Sequence, residues 1–563
     1  MCYTTRSMKQ FAALSLLLVC PTFAALTKEQ KILDFTVLAQ TFATNYWPYH
    51  WKVRAINVDA MNLKPWLAKV DATKDDLEFL DLLVDYVASL QDGHVSLSFP
   101  ASFVATLGFS TDIYDGKVLI DSISRRQQPL SRFPAVIGDE LVSMDGVPVN
   151  QLLDRFAKYK MTGNPRATRR QAAGLLTIRP QEIIPAAASV GDTVEVEVRR
   201  AASGKLEKYT LPWTKTGIPF TDLGSVPIAL TTVKQDSRQS AFEEDSLPPY
   251  MRPLAPLLNS RLPRDPEGVL NFGSDSPIYA FPNGFRLRLA GGPDFFASGT
   301  YVFEGKTIGW IRIPSFGPPS EEEAIETFER EIAFMQENTH GLVIDAMRNP
   351  GGSVAFNEAL LQRLIPNTFR TIGFEIRATN SWVQSFAAQL SLARLFGVES
   401  WILQHFENNY KDVLQANREG GNTGSISLNK TGSLILLPSP VTYQKPLIVL
   451  VDDFSGSSAD AFPAVIQDNG RGKIVGYRTM GLGGNVVEFA GTVYSQVTVR
   501  LTQSLMTRRE PVVTTDLPTA PYVENIGVRP DIELDYMTRE NLLNRGASFV
   551  NSFTRIILDQ IGN

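Results

Sequence analysis

Residues 446–476 read PLIVLVDDFSGSSADAFPAVIQDNGRGKIVG, and this stretch carries a clear structural signal. The apolar run at its start predicts a strand that is buried on both faces, as in a parallel sheet. A short Ser/Gly turn and a helix after Ser457 follow, and Lys473-Ile474-Val475-Gly476 predicts a further strand. Continuous apolar strands joined by helices indicate an α/β layered core.

The same alternation of strand and helix begins near residue 300. The patterns predict strands at 306–313 and 341–345, and helices at 321–337 and 357–364. Together with the stretch above, they place an α/β core in residues 296–563.

The chain before this core divides into regions of different character. A capping box at Thr27 predicts the start of a helix, and a second helix is predicted from about Thr73 to Leu90. Eleven prolines lie between Pro219 and Pro293, and because proline disrupts helix and sheet hydrogen bonding, we expect no regular structure there. The predicted regions are a signal peptide (1–24), a helical N-terminal region (25–100), a small, mostly β domain (101–215) and a proline-rich insertion or linker (216–295) before the core.

The first residues predict export. Arg6 and Lys9 precede an apolar run at 11–19, and Thr22-Phe23-Ala24 supplies small residues at the cleavage positions. The run is too short to span a bilayer comfortably, so a membrane anchor is the weaker alternative. We expect a mature protein in the periplasm or outside the cell, with no membrane association after the signal peptide is removed.

Composition excludes several classes of function. The 563 residues carry 54 Lys and Arg against 59 Asp and Glu, and a net charge of −5 argues against a strongly basic nucleic-acid binder. Cys2 and Cys20, the two cysteines, lie in the predicted signal peptide, so the mature chain has no cysteine nucleophile and no thiolate metal site. With no HExxH motif either, we expect neither a metal nor a cofactor.

The turn that contains Ser457 is the strongest candidate for chemistry. It follows a buried strand and precedes a helix, and functional groups of α/β folds lie at such carboxyl ends of strands. The backbone N–H of Ser458 would face the same way, with the positive end of the helix dipole behind it. The alternative is an ordinary serine N-cap, and no G-x-S-x-G motif marks an α/β-hydrolase elbow.

A second candidate is Arg348-Asn349-Pro350-Gly351-Gly352, directly after the strand predicted at 341–345. Two glycines let the backbone approach a ligand closely, so the N–H of Gly351 or Gly352 is a candidate second donor for an oxyanion. The alternative is a plain turn, because Pro-Gly is a common turn dipeptide.

Together these elements resemble the S41 family of serine peptidases. GLVIDAMRNPGG (341–352) and SGSSADAFPAVIQDNGRGKIVGYRTMG (455–481) look like the two signatures of that family, in order. GDELVSMDGVPV (138–149) looks like the turn–strand–turn of its PDZ-type module, and VENIGVRPDIEL (523–534) resembles its C-terminal signature. The resemblance implies a crotonase-like layered protease core with a PDZ-like domain, Ser457 as nucleophile, and Ser458 with Gly351 or Gly352 as oxyanion donors.

The base distinguishes two branches of the family. The C-terminal-processing branch uses a lysine, but Leu482 stands at that position and Val486 at the position of an accompanying glutamine. The tricorn-like branch uses a histidine with a glutamate behind it. His94 in Asp92-Gly93-His94-Val95 and Glu524 resemble that pair.

We therefore predict an exported serine endopeptidase that cleaves proteins or peptides with Ser457, His94 and Glu524. Two alternatives stay open: an inactive peptide-binding scaffold, and a Ser-Lys processing peptidase with an unrecognised lysine. A further hypothesis is that the 216–295 insertion covers the cleft and is cut during maturation, as in a zymogen. A homodimer stays open, and the sequence identifies no biological substrate.

Overall fold

A computed structural model describes residues 25–220 and 272–562. The predicted signal peptide and most of the proline-rich segment lie outside these residues. The hypothesis that this segment covers the cleft therefore also concerns residues outside the described ranges. In the two described ranges, no helix has both the length and the apolar character needed to cross a membrane.

The N-terminal region consists of four helices and a short strand. The capping box is present: the Thr27 hydroxyl accepts from the Gln30 N–H at 3.3 Å, and the Gln30 side chain accepts from the Thr27 N–H at 2.8 Å. The helices predicted near 27–46 and 73–90 are confirmed, and two shorter helices between them were not predicted. The elements are α1 (Lys28–Asn45), α2 (Tyr49–Ile56), α3 (Leu63–Ala72), α4 (Asp76–Ala88) and β1 (Ser96–Ser98).

The next region is mostly β, as predicted. The elements of this region are β2 (Val104–Thr106), β3 (Phe109–Tyr114), β4 (Lys117–Ile123), β5 (Glu140–Met144), β6 (Val147–Pro148), α5 (Val149–Phe156), α6 (Pro165–Leu175), β7 (Ile178–Pro180), β8 (Thr193–Arg199), β9 (Leu206–Pro212) and β10 (Thr214–Thr216). An antiparallel sheet of order β3-β4-β5-β8-β9, with β6 beside β5, packs against α5 and α6.

The remaining described residues form the α/β core. The strands are β11 (Arg286–Ala290), β12 (Ala297–Phe303), β13 (Lys306–Arg312), β14 (Gly341–Asp345), β15 (Phe369–Arg370), β16 (Gly373–Ile376), β17 (Ile435–Leu436), β18 (Leu447–Val451), β19 (Lys473–Gly476), β20 (Val486–Ala490), β21 (Thr498–Thr502), β22 (Ser504–Val512), β23 (Ala520–Tyr522) and β24 (Ile532–Glu533). The helices are α7 (Glu321–Asn338), α8 (Val354–Leu364), α9 (Asn380–Phe396), α10 (Ser400–Arg418), α11 (Ser458–Asp468), α12 (Arg539–Asn544) and α13 (Ala547–Gly562).

A seven-stranded sheet of order β11-β12-β13-β14-β18-β19-β24 is the centre of this core, and it is parallel from β13 onward. Alternate residues of the central strands face two hydrophobic clusters. Leu342 and Ile344 pack with α7, α8 and α11, whereas Val343 packs with α13 on the opposite face. Because both faces are covered, the strands are continuously apolar, and the predicted α/β layered class is confirmed.

Two features differ from the expectations. Strand β11 lies within the 216–295 segment, where we expected no regular structure. Its five residues contain no proline, and it pairs antiparallel with β12 at the edge of the sheet. The hairpin formed by α9 and α10 was not predicted at all.

Candidate active site

Ser457 lies between the end of β18 and the start of α11, at the carboxyl edge of the parallel sheet. It has φ 60° and ψ −119°, a backbone conformation that L-residues rarely adopt. It is partly exposed, whereas the residues from 451 to 456 and from 458 to 460 are buried. Backbone strain at a residue whose side chain is partly exposed is typical of functional sites.

The other two serines of this turn, Ser455 and Ser458, have structural roles. The Ser455 hydroxyl is buried and lies 2.9 Å from the Ala346 carbonyl and 3.1 Å from Asp452 Oδ1, so it joins the ends of β14 and β18. The Ser458 hydroxyl donates to the Gly352 carbonyl at 2.6 Å. Ser457 is therefore the serine of the turn that is left for chemistry.

The glycine pair after β14 lies against this turn. A β-carbon added to Gly351 would lie 2.6 Å from Ser457 Cβ and 3.0 Å from the Ser458 nitrogen. The N–H of Gly351 donates to Asn349 Oδ1 at 2.8 Å. Among the described residues no hydrogen bond engages the N–H of Gly352 or of Ser458, so these two donors are available for a ligand beside Ser457.

His94 and Glu524 come together although 430 residues separate them in the chain. An imidazole nitrogen of His94, an oxygen of Glu524 and an oxygen of Asp92 all lie within 4.8 Å of one another, and all three side chains are buried. His94 Nδ1 has no hydrogen-bond partner among the described residues. The main-chain N–H of His94 donates to Asp92 Oδ1 at 3.0 Å, which fixes the backbone of the histidine segment.

Burial shifts both titrating groups toward their uncharged forms. It lowers the pKa of His94 to about 4, with the charges of Arg500 and Lys52 adding to this effect and that of Asp92 opposing it. Burial also raises the pKa of Glu524, and the nearby charge of Asp92 adds to the rise. Perturbations of this kind are concentrated at functional sites.

Lys52 is the cation of this cluster. Its side chain is fully buried and forms an ion pair with Glu524 Oε1. It also donates to Asn525 Oδ1 at 2.8 Å and to the Gln91 carbonyl at 3.1 Å. The second oxygen of Glu524 accepts from the Gly483 N–H at 2.9 Å, so its carboxylate is held from two sides.

The loop at 479–484 lies between the His94 segment and the Ser457 turn and contacts both. β-Carbons added to Gly93 and Gly456 would lie 2.6 Å and 2.9 Å from the two terminal carbons of Leu482. One leucine side chain therefore lies between the residues that precede His94 and Ser457. Leucine carries no proton-accepting group, and Lys473 is exposed on β19.

Asp460 connects this loop to the serine turn. Its carboxylate accepts the N–H groups of Ser457 at 2.8 Å, Leu482 at 2.8 Å and Gly481 at 2.9 Å, and a hydroxyl bond from Thr479. These four donors surround a buried carboxylate whose pKa burial raises to about 6.

The trio of Asp92, His94 and Glu524 is close enough to be considered as a ligand set for a metal ion. The oxygens of Asp92 already accept from the His94 N–H and from the hydroxyls of Tyr46 and Thr502, and Lys52 pairs with Glu524. Protein groups thus compensate these carboxylates, and we assign no metal ligands here.

The structure places the sequence-predicted residues in two adjoining groups: Ser457 with Ser458, Gly351 and Gly352, and His94 with Glu524. Sequence reasoning missed the roles of Lys52, Asp92 and Asp460. Asp92 and Asp460 lie in segments that were singled out for other reasons. No local pattern marks Lys52, a buried lysine that pairs with a carboxylate 472 residues away.

Comparison with known proteins shows which families and folds the chain resembles. A family profile described as peptidase family S41 matches residues 307–534, and a PDZ domain profile matches residues 104–219. An uncharacterized protein of Chlamydia muridarum is 24% identical over 594 residues, which cover 96% of this chain and 94% of that protein.

The fold matches solved structures of mature CPAF, the chlamydial protease-like activity factor. Its complex with lactacystin superposes with a TM-score of 0.75 at 23% identity, covering 95% of this chain and 99% of that one. A second structure of mature CPAF superposes with a TM-score of 0.74 at 23% identity, covering 95% of this chain and 98% of that one. Residues 307–534 thus form a peptidase family S41 domain, and with the PDZ profile and this fold beside it the chain is a serine peptidase.

Proposed function

We propose that this protein is an exported endopeptidase that cleaves protein substrates through Ser457, His94 and Glu524. The observation that carries the proposal is the strained, partly exposed Ser457 beside two available peptide N–H groups. His94, which lies within 4.8 Å of Glu524, is the candidate base, and serine needs one because its hydroxyl is a weak nucleophile at neutral pH.

In the proposed reaction, His94 takes the proton from Ser457 as the hydroxyl attacks the substrate carbonyl, and later gives it to the leaving amine. The lowered pKa of His94 keeps the imidazole uncharged before attack. Glu524 stabilises the imidazolium that forms. The N–H groups of Ser458 and Gly352 bind the oxyanion, and each such donor contributes about 3–4 kcal/mol to transition-state stabilisation.

The alternatives make different demands on the chain. A Ser-Lys peptidase needs a free lysine amine beside Ser457, but Leu482 occupies the family position and Lys52 forms an ion pair with Glu524. A peptide-binding scaffold without catalysis has no need of a strained serine or of a buried histidine next to a carboxylate. Both observations favour the His94 peptidase.

The test is cleavage of casein by residues 25–563, compared with Ser457→Ala and His94→Ala. We expect both substitutions to lower kcat by at least about a thousandfold, because a catalytic triad acts as a unit. Ser391→Ala, on an exposed face of α9, is the matched control and should cleave like the wild type.

Covalent labelling by a fluorophosphonate gives an independent readout, and it should mark the wild type and not Ser457→Ala. Cleavage that survives His94→Ala would favour a lysine base. A folded wild-type protein that neither cleaves nor labels, even after limited proteolysis has cut the 216–295 segment, would contradict the peptidase proposal.

Export and a latent precursor are the remaining parts of the proposal. Both depend on the N-terminal pattern and on the proline-rich composition of 216–295. Mass spectrometry of the protein recovered from culture fractions would locate it and reveal cleavage near residue 24 or within that segment. An intact chain with full activity would contradict the precursor hypothesis.

A further inference from the structure

Lys52 on α2 is a cation in a site that water does not reach. The exposed fraction of its side chain is 0%, as is that of its partner Glu524. An ammonium group has three protons to donate, and those of Lys52 are directed to Glu524 Oε1, to Asn525 Oδ1 and to the Gln91 carbonyl. Lysine is almost never buried in this way unless it is paired.

These three acceptors belong to the two segments that bring the proposed base and its carboxylate together. Gln91 is three residues before His94, and Asn525 directly follows Glu524. Asn525 Nδ2 also donates to the Gln91 carbonyl at 2.9 Å. One lysine head group therefore ties the histidine segment to the glutamate segment.

Glu524 lies between a like charge, Asp92, and an opposite charge, Lys52. Asp92 carries a second buried carboxylate within 4.8 Å, and the hydroxyl of Tyr46 donates to it at 2.9 Å. Arg500 is near His94 and disfavours the imidazolium. Lys52 is the cation that contacts Glu524 itself. Without it, two neighbouring carboxylates would share a dry site, and one of them would take up a proton.

We propose that Lys52 is a positioning residue of the peptidase: it keeps Glu524 ionised and holds its segment against that of His94. This inference rests on the proposed function of Ser457, His94 and Glu524. A protonated Glu524 cannot stabilise the imidazolium that forms during the attack. Lys52 therefore acts on the reaction through Glu524 and touches neither the substrate nor Ser457.

The proposal predicts a specific change in the pH profile of kcat/KM. Activity needs Glu524 ionised, so kcat/KM falls as the pH drops through the pKa of this group. Removing an adjacent opposite charge raises a carboxyl pKa by about one to three units. In Lys52→Met the acid limb should therefore move to higher pH by that amount, with activity recovering toward wild type at alkaline pH.

Asp92→Asn should move the same limb in the opposite direction. It removes the like charge that raises the pKa of Glu524, while the hydroxyls of Tyr46 and Thr502 can reverse to accept from the amide. This second variant keeps Lys52 and its ion pair. It tests the charge balance even if Lys52→Met fails to fold.

The experiment measures kcat/KM on a fluorogenic casein between pH 5 and 10 for wild type, Lys52→Met, Asp92→Asn and a matched control. Lys31→Met is that control, because Lys31 on α1 is also buried and pairs with Asp76, away from the site. Thermal unfolding of each variant establishes that it is folded. The control should leave the acid limb in place.

Opposite shifts of the acid limb in Lys52→Met and Asp92→Asn would support the proposal. A uniform loss at every pH in folded Lys52→Met would overturn it and assign Lys52 a purely structural role, as would an unmoved limb in Asp92→Asn. If the wild type itself shows no activity that Ser457→Ala abolishes, the proposed function fails as well, which separates the two failures.

Discussion

Ser457 owes its place in the site to the close approach of Gly351. The loop after β14 reaches the serine turn so closely that Gly351 has no room for a side chain, and its φ of +99° is a conformation that disfavours L-residues. The site thus depends on a backbone-to-backbone approach between two strand ends. Gly351 is an element of this approach, and not a plain turn residue.

We predict that Gly351→Ala abolishes most activity and destabilises the fold. The new β-carbon would lie 2.7 Å from the Gly456 carbonyl oxygen and 2.6 Å from Ser457 Cβ. The left-handed conformation costs about 1–2 kcal/mol, and overpacking adds about 1–3 kcal/mol. Thermal unfolding and the rate of fluorophosphonate labelling of Ser457 measure the two effects.

Gly397→Ala is the matched control for this substitution. Gly397 has a φ of +63° after α9, but no atom lies within 4 Å of its added β-carbon. It should show only the conformational cost, with normal labelling. Labelling of Gly351→Ala at the wild-type rate would mean that the turn tolerates displacement.

Some of the site residues could be predicted from the sequence and others could not. Ser457, His94 and Glu524 lie in stretches with recognisable local patterns, so each could be proposed before the structure. Lys52 and Asp460 could not, because their functions arise from contacts made across the fold. The sequence also could not favour Gly352 over Gly351 as an oxyanion donor. The difference arises from the Asn349 side chain, which accepts from the Gly351 N–H and not from that of Gly352.

The loop at 479–484 has Leu482 where the C-terminal-processing branch has its lysine base, and it contacts the site through its backbone N–H groups. Three consecutive N–H groups, from Gly481 to Gly483, donate to Asp460 and to Glu524. The loop thus fixes the serine turn on one side and the carboxylate of the histidine pair on the other. Backbone donors need no particular side chain, so only the glycines of this loop could indicate the arrangement before the structure.

We predict that Asp460→Asn slows the chemical step more than it weakens substrate binding. An amide can accept from only one side, so at least one of the N–H groups that Asp460 satisfies loses its partner, at a cost of about 1–3 kcal/mol. The Ser457 N–H donates to one carboxylate oxygen and the Gly481 N–H to the other, so either orientation of the amide disturbs the serine turn or the loop beside it. We therefore expect kcat to fall at least about tenfold with little change in KM. Steady-state kinetics with casein peptides provide both parameters.

Asp468→Asn at the other end of α11 is the control for Asp460→Asn. Its carboxylate pairs with Arg508 and lies outside the site. It should lower stability and leave kcat unchanged. A fall in kcat of similar size in both variants would assign the effect to the helix as a whole.

Among the larger elements, the buried strands of the core were the most predictable, because strands covered on both faces are continuously apolar. The hairpin of α9 and α10 was not predicted, and many of its apolar residues are exposed, including Leu395 and Phe396. Its helical spacing therefore does not mark one buried face. Strand β11 was obscured by the prolines on either side of it.

The PDZ-like domain and the peptidase core meet at a cluster of buried charges beneath the serine turn. Arg170 on α6 is fully buried and pairs with Asp112 of its own domain and with Asp453, which follows β18. Its guanidinium also stacks on the Phe454 ring at 3.9 Å. A residue of one domain thus contacts the segment that leads directly to Ser457 in the other.

We predict that Arg170→Met uncouples the two domains and lowers activity. It leaves Asp112 and Asp453 buried with their main cation gone, and breaking a buried pair in this way costs about 3–5 kcal/mol. Arg169→Met, one residue earlier on α6, removes an exposed pair with Asp154 and should cost less than about 1 kcal/mol. Chemical denaturation compares the two stabilities, and casein cleavage per labelled Ser457 compares the activities.

Equal effects in both variants would mean that this charge cluster does not transmit the position of the PDZ-like domain to the serine turn. A selective loss in Arg170→Met, at a temperature where the protein is still folded, would show that the peptidase site requires the PDZ-like domain to be docked.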